Sequence, residues 1–182
     1  YDKAIQIQPN NIKALNNFGN IQRELGEYQK AINSYEKAIK LQPNNAITYN
    51  NLGNAFRDLG NYQKASSSYE EAIKLQPDYA DAHNDFGNTL KELGEYQKAI
   101  SCYKKAIQIK KNSAKTYYNL ALVYKELGDQ KKAEDSYEMA VKYEPENFMY
   151  LFDLSQLKKE ILDSNLRNKI SKIIERSNCT KE

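Results

Sequence analysis

The chain has 182 residues, 40% of them hydrophobic and 28% charged, and 27 Lys and Arg against 24 Asp and Glu give it a formal net charge of +3. Charges of both signs are interspersed, so no basic stripe marks a nucleic-acid surface, and no apolar run approaches the roughly 20 residues of a membrane span. One histidine and two cysteines far apart in sequence, Cys102 and Cys179, make no metal-ligand or redox motif.

Along the chain, glycine and proline keep to one grid. Pro9, Pro43 and Pro77 are spaced by 34 residues, as are Gly19, Gly53 and Gly87, and Gly26, Gly60, Gly94 and Gly128. Lys111 and Ala121 stand where the grid calls for a proline and a glycine; Pro145 resumes it. These residues punctuate backbone structure, so a fixed period predicts an array of repeated units. Tyr1, Ala4, Ile5, Ile7 and Pro9 match the end of a second helix, so residues 1–11 read as the second helix of a truncated repeat and the chain as a piece of a longer protein. Units at 12–45, 46–79, 80–113 and 114–147 follow.

In the first unit Ile12, Leu15, Phe18, Ile21 and Leu25 have helical spacing, and Gly26 follows where a helix C-terminus needs positive φ. Tyr28, Ala31, Ile32, Tyr35, Ala38, Ile39 and Leu41 predict a second helix; Pro43 ends it, and Asn44-Asn45 can cap the next. Gly19, Gly53 and Gly87 fall mid-helix, where glycine costs about 1 kcal/mol against alanine. That cost points to the close approach of another backbone. Ala31 and Ala38 with their repeats allow paired helices to approach, and Tyr35, Tyr69, Tyr103 and Tyr137 fill the larger gaps. After Pro145, Phe148, Leu151, Phe152, Leu154 and Leu157 predict another helix, Leu162-Asp163-Ser164 a break with a fresh N-cap, and Leu166, Ile170, Ile173 and Ile174 a last amphipathic helix. Residues 148–182 therefore read as degenerate C-terminal capping helices.

Tyr49, Leu52-Gly53, Phe56, Ala65, Tyr69, Ala72 and Pro77 resemble the tetratricopeptide repeat, and the likeness holds over about residues 12–147. Departures are mild: Leu15 and His83 replace the first aromatic, and Gln22 a tyrosine. The resemblance implies an all-α chain, an α-solenoid in which helix-turn-helix repeats wind as a right-handed superhelix. It also implies a protein–protein interaction scaffold whose first helices line a concave groove for an extended peptide or partner segment. It implies no catalytic activity, cofactor or metal. A loose likeness of the C-terminal region to the junction before a sulfotransferase domain leaves a second reading: the partner-recognition region of a larger sulfotransferase or glycosyltransferase. A third is a self-assembling solenoid, with end-to-end contacts between copies through the uncovered face at Tyr1–Ile7.

No catalytic set is present. His83 stands in a slot otherwise held by Leu15, Tyr49 and Tyr117, which favours packing, and the Ser66-Ser67-Ser68 run reads as a polar helix face. Cys102 takes a slot held elsewhere by Ser34, Ser68 and Ser136 and reads as a half-exposed free thiol, compatible with a reduced cytoplasm. No secretory leader is visible, though a chain that starts inside a repeat could have lost one.

The residues that exceed packing needs are amides. Asn16, Asn17 and Asn20 recur as Asn50, Asn51 and Asn54 and as Asn84, Asp85 and Asn88, with Asn119 in the fourth unit. Asparagine is a poor helix former, and its amide both donates and accepts. The series is similar to the asparagine ladder of O-linked N-acetylglucosamine transferase, which implies hydrogen bonds to an extended peptide backbone. Arg23, Arg57, Lys91 and Lys125, beside Glu24, Asp58, Glu92 and Glu126, would then tune side-chain preference. In the opposite reading Asn17, Asn51 and Asn119 brace neighbouring repeats and the rest are solvated; the sequence leaves both open. The carboxylate clamp of some family members does not fit, because Asp81 and Asp85 stand where cations are needed.

Overall fold

The structure is a computed structural model that describes residues 11–158 and 169–174. The readings placed on Tyr1–Pro9, on the Leu162-Asp163-Ser164 break, on Leu166 and on Cys179 lie outside the described residues. All regular structure in the described residues is helical.

Two compact units divide the chain, one through Ile109 and one from Lys110. The first holds α1 (Ile12–Glu24), α2 (Tyr28–Leu41), α3 (Ala46–Asp58), α4 (Tyr62–Leu75), α5 (Ala80–Glu92) and α6 (Tyr96–Ile109). They form three helical hairpins, α1/α2, α3/α4 and α5/α6. Within this unit α2 packs on α3 and α4 on α5, and α3 also touches α1 and α5. The second unit holds the hairpin of α7 (Ala114–Glu126) and α8 (Gln130–Tyr143), and α9 (Phe148–Leu157) packs on α8. Residues 169–174 are also helical.

Local chemistry sets these boundaries. Gly26, Gly60, Gly94 and Gly128 have φ of 77°, 80°, 75° and 74°. At each, two backbone bonds close the helix end; in the first, Gly26 N donates to Arg23 O at 3.0 Å and Glu27 N to Gln22 O at 2.8 Å. This Schellman pattern satisfies carbonyls the helix leaves open. Asn11 and Asn45 cap α1 and α3, their side chains accepting from Ala14 N at 3.0 Å and Thr48 N at 3.1 Å. Pro43 and Pro77 lie in the turns between hairpins, and Lys111 takes the same kind of turn without a proline.

Ala31, Ala65, Ala99 and Ala133 are fully buried, and so are the rings of Tyr35, Tyr69, Tyr103 and Tyr137. The mid-helix glycines correct the sequence reading. What approaches them is an aromatic ring, not a backbone. A Cβ on Gly19 would stand 2.5 Å from Tyr35 Cε1, on Gly53 2.7 Å from Tyr69 Cε1, and on Gly87 2.6 Å from Tyr103 Cε1. Each glycine is the floor on which the tyrosine of its own hairpin lies. His83 is buried with Nε2 3.0 Å from the carbonyl of Pro77, and Gln22 accepts from Ser34 Oγ at 2.7 Å. In the second unit Tyr118 stacks on Tyr150, centroids 4.7 Å apart, and donates to Asp153 Oδ2 at 2.6 Å.

Cys102 is half-buried, and burial pushes its thiol up to about 11. The thiolate is the reactive form, so at pH 8 the native thiol is expected to alkylate about tenfold more slowly than the denatured one, or slower still. Equal rates in the native and urea-unfolded protein would contradict this packing of α6.

Candidate functional site

The amides of α1, α3 and α5 divide into two groups by what they touch. Asn20 Oδ1 accepts from the Tyr35 hydroxyl at 2.7 Å, Asn54 Oδ1 from Tyr69 at 2.9 Å, and Asn88 Oδ1 from Tyr103 at 2.8 Å. Each bond ties a first helix to its own second helix and satisfies the hydroxyl of a buried ring. Burial raises the Tyr35 hydroxyl to about 12 and shifts Tyr69 and Tyr103 further in the same direction.

Asn16 serves the joint between hairpins. Its Nδ2 donates to Thr48 Oγ1 on α3 at 2.9 Å and to the carbonyl of Ile12 at 3.1 Å. Asn50 is buried, and Ala82 stands where a second Thr48 would accept from it. Asn84 Nδ2 donates to Asp85 Oδ1 at 3.2 Å.

Asn17 and Asn51 differ. Both are half-exposed, and among the described residues neither side chain makes a hydrogen bond. They line a cleft of about 840 Å³ along α1 and α3, with Asn11, Asn16, Asn20, Gln42 and Asn45 as further amides. Lys13 is the single charged residue of that lining, and Ile12 and Ile47 supply its apolar part. The reading in which Asn17, Asn51 and Asn119 brace the repeats and the rest are solvated therefore fails at Asn17 and Asn51. Asn16 braces neighbouring hairpins through Thr48, and Asn20, Asn54 and Asn88 lock each first helix to its own second helix. Likewise Asn54, one of the amides read from the sequence as exceeding packing needs, takes part in the fold through its bond to Tyr69.

The cations are also engaged. Arg23 Nε is 3.5 Å from Asp58 Oδ2 and Arg57 is 3.7 Å from Asp85, pairs that run from hairpin to hairpin, while Arg57 also reaches its neighbour Asp58 on α3 at 3.6 Å. Such half-exposed pairs contribute little to stability singly but fix side chains in place. Lys91 pairs with Glu92 at 3.2 Å. In the second unit Lys125 is exposed and Asn119 half-buried.

The tyrosine–asparagine pairs escaped the sequence reading, although the sequence carries a signal for them. Gly19-Asn20, Gly53-Asn54 and Gly87-Asn88 become Ala121-Leu122 in the fourth unit: floor and acceptor change together. There the Tyr137 hydroxyl is buried without a partner among the described residues. The described residues hold no group of His, Cys, Asp or Glu fit for a metal ion, and no helix long and apolar enough to cross a membrane.

Serial helical hairpins, each locked by an alanine–tyrosine seam and presenting a row of polar first-helix side chains, define a helical-repeat scaffold. The chain belongs to the tetratricopeptide repeat family. Models described as TPR repeat match residues 19–56, 53–94 and 87–128, and models described as tetratricopeptide repeat match 114–147 and 1–33. A crystal structure of MamA is 27% identical with a TM-score of 0.73, covering 89% of this chain and 95% of that one. TTC0263, a thermophilic TPR protein of Thermus thermophilus, is similar at 22% identity and TM-score 0.75, covering 86% of both chains. YrrB, described as a TPR protein with an unusual peptide-binding site, is 18% identical with a TM-score of 0.69, covering 99% of this chain and 91% of its own. The last two likenesses speak to the fold alone. No curated protein matches the chain in sequence.

Proposed function

We propose that this protein-interaction scaffold binds an extended partner segment along the first helices of its repeats, and that Asn17 and Asn51 hold the segment's backbone. The observation that carries the reading is their pairing of exposure with an unused amide in an amide-lined cleft. An amide can donate to a peptide carbonyl and accept from a peptide N–H, so it suits a main chain of any sequence. Asn119 holds the same slot in the fourth repeat. The peptide-binding site named for YrrB and the ladder of O-linked N-acetylglucosamine transferase support the same use of this fold here. Asn16 and Asn20 line the same cleft, and Asn50, Asn54, Asn84 and Asn88 repeat their two positions on α3 and α5. Arg23, Arg57 and Lys91 recur at one position of the first helices, with Lys125 in the corresponding place in the fourth repeat, and would tune side-chain preference.

The test is a peptide-library capture with the wild-type chain and an Asn17→Ala/Asn51→Ala variant. Each lost contact is expected to weaken binding by about 0.5–1.5 kcal/mol. Thermal stability should stay within about 0.5 kcal/mol, as for other exposed substitutions. Undiminished capture by the double variant at unchanged stability would remove these amides from the binding surface.

A further inference from the structure

The backbone reading leaves open which side chains the partner carries, and one row of residues bears on it. The second residue of each first helix in the first unit is Lys13 on α1, Ile47 on α3 and Asp81 on α5. All three are exposed. Lys13 and Ile47 line the same cleft as Asn17 and Asn51. Asp81 holds the equivalent place on α5, one turn before Asp85, which occupies the Asn17 and Asn51 slot.

Among the described residues neither Lys13 nor Asp81 forms an ion pair, whereas Arg23, Asp58, Arg57 and Asp85 are all taken up in pairs. Ile47 leaves 55% of its surface open on an otherwise amide-rich face. A branched apolar side chain loses by such exposure and gains by being covered. The row therefore presents cation, apolar, anion, one helix after another.

Resting on the groove reading above, we infer that the first unit selects an extended segment bearing an acidic, an apolar and a basic side chain, set against Lys13, Ile47 and Asp81 in turn. The spacing follows from geometry. Contacting helices stand about 8–10 Å apart, and a segment in the extended polyproline II form advances about 3.1 Å per residue with three residues per turn, so side chains on one face recur every third residue, about 9 Å apart. A segment with the charges in the wrong order meets like charge at both ends, which rejects it as firmly as the right order attracts.

Dye-labelled peptides with glutamate, leucine and lysine at every third position of a serine–threonine background test this by fluorescence anisotropy at low salt, beside the reversed sequence and an uncharged version. The full wild-type chain is expected to prefer one of the two charged orders by about tenfold, the effect of two exposed charge pairs. A Lys13→Glu/Asp81→Lys variant should prefer the other order, with circular dichroism confirming its fold. Ile47→Ser should weaken both proteins' preferred complex. Equal affinity of all peptides for both proteins, with binding still sensitive to Asn17→Ala/Asn51→Ala, would overturn the side-chain code while leaving the groove standing. If neither these peptides nor any library member binds, the groove reading falls and the code with it.

Discussion

Tyr69→Ala is expected to cost the protein about 3–5 kcal/mol, the range for removing a large aromatic from a closed core. Tyr69 is completely buried, lies on Gly53 and sits in a cluster with Ala31, Ile32, Tyr35, Leu52, Ala55, Phe56 and Ala65. Those residues come from two hairpins, so the cavity would loosen both a hairpin and the joint to its neighbour. In a linear array, stability is a sum of repeat and interface terms, and a central lesion acts on both. Tyr69→Phe separates packing from hydrogen bonding. It keeps the ring and removes the hydroxyl that donates to Asn54 at 2.9 Å, for a loss of about 1 kcal/mol. Asn54→Ala strands the same hydroxyl in the interior and should cost about 1–3 kcal/mol. The double variant Tyr69→Phe/Asn54→Ala should cost less than the two singles added, since the second change removes the group the first had stranded. Urea denaturation of the four proteins reads these values. Strict additivity would show that the bond contributes nothing.

Much of the fold was legible because its determinants are local. Gly26 and its repeats mark the turns since only a residue tolerant of positive φ closes those helix ends, and Asn45 caps α3 as its place after Pro43 suggested. The binding face was legible as a row of amides but not as individual roles. Asn16 and Asn17 are one residue apart, hence about 100° apart around the helix. A 34-residue period repeats both equally and cannot say which one meets Thr48 and which meets solvent. That answer depends on how far the neighbouring helix stands and on where the Tyr35 ring ends. The mid-helix glycines misled for a related reason. Sequence shows that space is short, not what fills it, and the filler is a ring 16 residues away on the partner helix of the same hairpin.

Gly53→Ala joins these threads. Alanine gains about 1 kcal/mol of helix propensity over glycine, so on an open surface the change would stabilise. Here the new methyl would stand 2.7 Å from Tyr69 Cε1, and the ring is enclosed on every side and tied at its hydroxyl to Asn54. Overpacking of this kind costs about 1–3 kcal/mol, and moving the ring to relieve it would also lengthen the Asn54 bond. A net loss of up to about 2 kcal/mol is expected. The fourth repeat supplies the comparison, because Ala121 is accompanied by Leu122, and the Tyr137 hydroxyl there has no partner among the described residues. A ring with no acceptor to keep can settle where a methyl allows. Gly53→Ala should therefore cost less in an Asn54→Leu background than in the wild type, a coupling that thermal denaturation of the four-member cycle measures directly. Equal costs in both backgrounds would mean that floor and acceptor act separately, and that their joint change at Ala121-Leu122 reflects no mechanical link.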